Sequence, residues 1–459
     1  MPVNFAYIAM HRFSYGADSA SLASLSQLGQ LEQVQGWLIQ QLSRYTISTD
    51  ADWTSQSAIA AFIKYRGLRT NAKNDEKLLE NAKSARRHNF NLARHLAEDI
   101  VRNAITTQQS LQARLSDFFA NHFSVSRGNP LVTMLAPTLE PEAIHPNLHR
   151  KFSDLLLAVV KHPAMLVYLN NEYSIGPNSQ FAKKSRKGRG LNENLAREIL
   201  ELHTLGVDAG YTQNDVIELA KAITGWSVGR GRKKEPLGFL YRVGAHEPGS
   251  RQVFGNHYPQ DNIKLPVQGE SILKNLANHP STATHICEKL ARHFVSDTPD
   301  EQIVKSMVAT WRSTSGDIPK VMETLIMHPE SWHGRFDKFK APREFLISAY
   351  RSFGEIPKWP GIFRSLEILG QGINNAGSPA GYPDTAQEWS GASALMGRVE
   401  WANHFSKQLI RNKMPSADAH AKNILGSRLS EKTLTHLRRA ESMQQAYALM
   451  LMSPEFQRR

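Results

Sequence analysis

Asn194, Arg197, Glu198 and Glu201 are the residues whose spacing could do chemistry. They lie in LNENLAREILELHTLGVDAGYTQNDVIELAKAITGW, Leu191 to Trp226. At about 100° per residue, with Asn194 at 0°, Arg197 falls near 300°, Glu198 near 40° and Glu201 near 340°, an arc of about 100°. Leu191, Leu195, Ile199 and Leu202 fall beside that arc, while Leu200 points away near roughly 240°. Apolar residues on more than one side predict a deeply buried helix whose two carboxylates, guanidinium and amide satisfy one another. Such carboxylates, one turn apart, could bind a metal ion or act as acid and base, with Arg197 holding an anionic group. The same residues also read as a purely structural network, with Arg197 and Glu201 as an i,i+4 pair. His203 falls near roughly 180°, opposite the stripe, so Glu-x-x-Glu-x-His does not converge as the Glu and His of a ferritin-like metal helix do.

Three other places carry candidate groups. FFANHFSVS sets Asn121 and His122 in an aromatic stretch, where a histidine is either a satisfied core residue or a proton carrier. GAHEPGSR puts His246 and Glu247 at a glycine-flanked turn with Arg251 behind, a setting that suits either solvated surface or function. His162, before Pro163, reads as a helix-boundary residue, and Trp226 as a core anchor. Cys287 is the only cysteine, which excludes an internal disulfide and multi-cysteine metal sites. It lies in STATHICEKLARHF, where Ile286, Leu290 and Phe294 share a helical face, and reads as a buried thiol. P-loop, Rossmann, Gly-x-Ser-x-Gly and HExxH patterns are absent.

The elements that must position these groups are helical. LASLSQLGQLEQVQGWLIQQL, ENLAREILELHTLG, DVIELAKAI, IVKSMVATW, KVMETLIM and SMQQAYALMLM all space apolar residues by three and four. Thr212 followed by Asp215 predicts a capped helix from Gln213 to Thr224, ended by Gly225. GFLYRV and RQVFG predict one small β-hairpin near residues 237–255, turning around Gly244 to Ser250. The fold class expected is therefore mainly α: a large irregular helical bundle with one β excursion. The 459 residues read as a single large domain, with 390–459 able to form a C-terminal helical lobe. Ser179–Gly190 and Gly229–Lys234 read as exposed basic loops, and Gly370–Trp389 as a long loop, ordered or disordered.

A net charge of +13 and a pI near 9.6 favour acidic partners: an anionic ligand or polymer, or an anionic surface. Basic loops without interleaved aromatics argue against specific nucleic-acid recognition. No stretch approaches the ~20 apolar residues of a membrane span. The start shows no basic leader followed by an apolar core, which predicts a cytoplasmic location.

The blocks IAMHRFSYGA, FFANHFSVS, HPAMLVYLNNEYSIGPNS, the Leu191–Trp226 block, HEPGSRQVFG and GYPDTAQEW, in this order, resemble the bacterial family catalogued as domain of unknown function 1800. The resemblance runs over most of the chain and implies a fold but no particular reaction. It singles out Asn121, His122, Asn194, Arg197, Glu198, Glu201, Tyr211, Trp226, His246 and Arg251. His203 stands where relatives look to have Phe, Asn170 where they often have Asp, and Arg251 where Lys is more usual. The resemblance also implies a sulfatase-like or phosphatase-like protein partner, and export together with it.

The expectation is then a polar pocket formed by the Asn194–Glu201 stripe, His122 and the His246 turn, binding or acting on an anionic ligand. Glu198 or Glu201 would be base or metal ligand, and His122 or His246 the proton carrier. Asn121, Asn194, Arg197, Tyr211 and Arg251 would bind the ligand. The residue types name neither a metal nor a cofactor, and leave catalysis open. The alternative is a non-enzymatic adaptor, or a polyanion-binding protein whose basic loops, including Lys183 and Lys184, do the docking.

Overall fold

The computed structural model describes residues 4–43, 47, 49–72, 75–184, 190–232, 235–358, 361–410 and 414–459. Helices dominate, and their ends follow local chemistry. Thr212 caps the helix Gln213–Ala222 through a reciprocal capping box with Asp215. Three His-Pro pairs start helical segments in one way: His162, His279 and His328 each accept a backbone N–H two residues on, with proline at the first position. Proline suits that position because its missing N–H would have no partner there. His162 is thus the boundary residue its sequence context predicts. The long apolar run after Ser19 divides into Ser19–Ser26 and Leu31–Gln40.

Among the described residues the strands form two antiparallel hairpins. Strand β1 (Trp226–Arg230) pairs with β2 (Leu237–Tyr241), and β3 (Arg251–Val253) with β4 (Asn256–Tyr258). The expected β content is present, but its partners differ. GFLY folds back onto the residues before it, and RQV pairs with those after it. The turn Gly244–Ser250 therefore joins two hairpins rather than closing one. Gly229 and Arg230 belong to β1 rather than to a loop, and Arg230 donates to Glu172 at 2.7 Å. Lys233 and Lys234, and Arg186, Lys187 and Arg189 of the other basic stretch, lie outside the described residues.

One hydrophobic cluster runs from Ala6 to Phe456 and takes in Trp226, which is fully buried, and Cys287. Burial pushes the Cys287 thiol well up. Among the described residues three single turns of π-helix occur: Ala9–Phe13 and Ile199–His203 each end a short α-helix, and Glu140–Ile144 lies between two 3-10 turns. A π turn inserts an extra residue and re-aims the side chains beyond it, which is why such turns gather at functional places. Glu140 and His203 both lie in one. Among the described residues no helix is long and apolar enough to cross a membrane.

Candidate functional site

The four-residue stripe lies at the surface. Leu195, Ala196, Ile199, Leu200 and His203 are buried, whereas Asn194 is exposed. The side chains of Arg197 and Glu201 keep 39% and 26% of their accessible area. This corrects the expected deep burial: the helix is amphipathic, and its polar half stays in water, where charge carries no large desolvation penalty. Arg197 bridges Glu193 at 3.5 Å and Glu201 at 3.3 Å and donates to Gln213 at 2.8 Å. Partial burial and the neighbouring Glu201 raise the Glu198 carboxyl. Burial and a hydrogen bond to Glu201 push the Tyr211 phenol up to about 12. Arg197, Glu201 and Tyr211 thus share one surface cluster.

His246, Glu247 and Arg251 are buried, while residues 248–250 between them are exposed. His246 Nδ1 faces the Thr224 carbonyl at 2.9 Å. Glu247 accepts from the Asn178 backbone and side chain at 2.7 and 2.6 Å. Arg251 donates to the carbonyls of Glu247, Pro248 and Ser250 and lies 3.6 Å from Glu218. These contacts tie the turn to the end of the Gln213–Ala222 helix. The expected meeting of stripe, His122 and His246 does not occur. The cavity that His122 lines includes neither His246 nor any of the four stripe residues.

That cavity, about 170 Å³, is the chemically richest place in the fold. Five separate segments supply its titratable side chains. The helix Ser110–His122 contributes Asp117, Asn121 and His122, and the π turn contributes Glu140. Pro280–Phe294 supplies Lys289 and His293, one turn apart. The first turn of Pro342–Phe353 supplies Arg343 and Glu344. The stretch 370–385, ordered rather than disordered, adds Tyr382 and Asp384. Asn121 holds this stretch with two backbone bonds, donating to the Tyr382 carbonyl at 2.8 Å and accepting its N–H at 2.8 Å.

His293 Nδ1 lies 3.3 Å from Asp384 Oδ2, and its Nε2 is buried with no hydrogen-bond partner. Burial lowers the imidazole, and Asp384 only partly offsets this. The ring is therefore neutral near pH 7, with Nδ1–H given to the carboxylate and the Nε2 lone pair free. Although burial opposes it, His293 and Lys338 hold Asp384 well below the usual carboxylate range. Lys338 contacts Asp297 and Asp384 at 2.7 and 3.4 Å.

A carboxyl pair, Asp117 and Glu140, lines the same cavity. Asp117 contacts Arg343 at 2.5 Å and accepts from Tyr15. Glu140 accepts from Ser116 at 2.8 Å and lies 4.0 Å from Arg343. Burial, with Asp117 adding to it against the pull of Arg343, raises Glu140 to about 7. A carboxyl tuned there can donate or accept a proton near neutrality.

Lys289 supplies the remaining cation. Its Nζ lies 3.0 Å from His122 Nδ1, and among the described residues it forms no ion pair with a carboxylate. Burial lowers the ammonium to about 8. Burial, reinforced by Lys289, holds His122 neutral; its Nε2 faces the His203 carbonyl at 3.2 Å. His203 is wholly buried against Phe123, on the side away from the stripe as its position on the helix predicts. Among the described residues no group of three or more His, Cys, Asp or Glu is placed to hold a metal ion.

Of the residues expected from sequence, Asn121 and His122 line this cavity. Asp117, Glu140, Lys289, His293, Arg343 and Asp384 were missed. A faint signal existed in the four-residue spacings Asp117–Asn121 and Lys289–His293, which put each pair on one helical face.

The fold is that of a mainly helical protein with two small β hairpins. Residues 8–458 match the family model described as a protein of unknown function, DUF1800, and the chain belongs to that family. No curated protein and no solved structure matches it.

Proposed function

We propose that the 170 Å³ cavity binds a small ligand bearing an anionic group and moves a proton on it. The observation that carries this reading is His293: neutral, oriented through Nδ1 by Asp384, with a buried Nε2 that bonds to nothing. Buried polar atoms are nearly always satisfied, so an orphaned lone pair on a residue that lines the cavity marks a place for a ligand proton. Lys289 supplies positive charge for the anion. Arg343 is already compensated by Asp117 at 2.5 Å, which leaves Lys289 as the cation available to it. Glu140 is suited to return the proton. A cavity of roughly 150 Å³ accommodates a benzene-sized molecule, so the ligand or its reacting part is of that order.

The test tracks the side-chain ¹⁵N resonances of His293 while inorganic phosphate and a panel of two- to four-carbon carboxylic acids are added. The expected result is a saturable shift for at least one compound, lost in Lys289→Met and retained in Glu198→Gln. No shift from any of them, or one indifferent to Lys289→Met, overturns the reading.

The polyanion-docking alternative draws on Lys183 and Lys184, both exposed on the helix Gln180–Lys184. Binding to heparin-like polymer that survives Lys183→Gln/Lys184→Gln would remove that support. Association with a sulfatase-like or phosphatase-like protein, implied by the resemblance, is tested by co-purification of the two full-length chains.

A further inference from the structure

A second pocket, of about 460 Å³, shares no lining residue with the cavity. Tyr7, Phe336, Ser427, Arg428, Glu455 and Arg458 are among the residues that form it. The buried charge around it is unusual. Arg12 donates to the carbonyls of Ser331, His333 and Arg335. Arg398 donates to the Lys340 carbonyl and to Gln457. Arg428 donates to the carbonyls of Glu455 and Arg458 at 2.8 and 2.9 Å. Among the described residues none of these three guanidinium groups forms an ion pair with a carboxylate.

Lys340 completes the set. It is buried, its Nζ has no hydrogen-bond partner, and it lies 4.3 Å from the centre of the Phe456 ring. Carbonyl oxygens satisfy N–H donors but bring no net charge, so they leave the positive potential of these groups standing. One carboxylate lines the pocket as well: Glu455 accepts from the Ser430 N–H at 3.1 Å and from Thr433 Oγ1 at 3.0 Å and keeps its charge, so it offsets one of these five cations (Arg12, Lys340, Arg398, Arg428 and Arg458) and leaves the balance positive. Arg428, which lines the pocket, stacks 4.0 Å from the centre of Phe336, and its buried Nη1 is unpartnered.

We propose that this pocket is an anion site, taking a small ligand that carries a phosphate, sulfate or carboxylate beside an apolar ring or chain. The anion would sit against Arg428 and Arg458, and the apolar part against Tyr7 and Phe336. Arginine suits that task because its planar fork presents several donors to one oxyanion. The inference is independent of the cavity reading.

Isothermal titration of the full chain with phenyl phosphate and with inorganic phosphate, at constant ionic strength, tests it. Both should bind, phenyl phosphate about tenfold more tightly because its ring leaves water. Arg458→Gln, at an exposed position, should weaken binding about tenfold, and Ser427→Glu should do so by placing a carboxylate in the lining. Neither change touches a buried guanidinium, so folding is preserved. Lys289→Met should leave phenyl phosphate binding unchanged. Absent binding, binding indifferent to Arg458→Gln and Ser427→Glu, or binding abolished by Lys289→Met each overturns the proposal. The last two outcomes leave the cavity reading intact.

Discussion

Glu344 is the most exacting place to test the electrostatics of the cavity wall. Its Oε1 takes Arg114 at 2.9 Å and Arg459 at 2.7 Å, and its Oε2 takes Arg459 Nε at 3.0 Å. Burial alone would raise this carboxyl, yet Arg459 and Arg114 hold it down to about 2. The folded value lies below the unfolded one, so the ionised form stabilises the fold. That contribution is complete above roughly pH 4.5 and is lost as pH falls toward about 2. A depression of that size corresponds to about 3 kcal/mol, of which about 2 kcal/mol is gone by pH 3. Glu344→Gln removes the charge and leaves two guanidinium groups buried together, so the expected loss at pH 7 is about 3–5 kcal/mol. Urea denaturation of both proteins at pH 7, 5, 4 and 3 measures it. The difference between them should be constant from pH 7 to 5 and shrink by about 2 kcal/mol at pH 3. A loss below about 1 kcal/mol at pH 7, or a pH-independent difference, would refute the reasoning.

Two further substitutions probe neighbouring features. His203 is wholly buried and held down to about 3, by burial first and Lys289 second, so only the unfolded chain takes up its proton below about pH 6.5. Stability is therefore lost as pH falls from there toward 3, and His203→Phe should recover about 2 kcal/mol at pH 5 relative to pH 7.5 in urea unfolding. Equal effects at the two pH values would count against a neutral buried imidazole. Gly381 has φ +80°, and a Cβ there would stand 2.3 Å from the Asn121 carbonyl oxygen. Gly381→Ala should break the Asn121–Tyr382 pair, raising amide exchange at Tyr382 while the Pro280–Phe294 helix stays protected; unchanged exchange at Tyr382 would contradict this.

Local rules made part of this molecule legible. The Thr212–Asp215 capping box and the boundary at His162–Pro163 depend on residues two or three apart, so sequence alone places them. The π turns have no comparable local signature, and Glu140 sits in one. The cavity was harder still. His293 and Asp384 are 91 positions apart, and neither is unusual until packing removes every other partner of Nε2. Pairing the β segments failed for a related reason: GFLY fits a strand on either side of it, and only its docking against Trp226–Arg230 decides.

The stripe helix shows how a correct pattern can give the wrong burial. Its wheel put the four polar residues together near 0°, as they are. With Leu191, Leu195, Ile199 and Leu202, at roughly 60–140°, as the inward face, the stripe lies adjacent to the core. The buried residues are Leu195, Ala196, Ile199, Leu200 and His203. Their angles run from about 100° to 240° and centre near 170°, diametrically opposite the stripe. Leu200 was the informative residue: it marked the far edge of a single apolar face rather than a second one. With that face inward, the segment is amphipathic, and Glu198 and Glu201 are half-buried at the surface. The buried titratable groups worth pursuing are then those whose partners come from distant segments, where packing has left a lone pair or a cation without its complement.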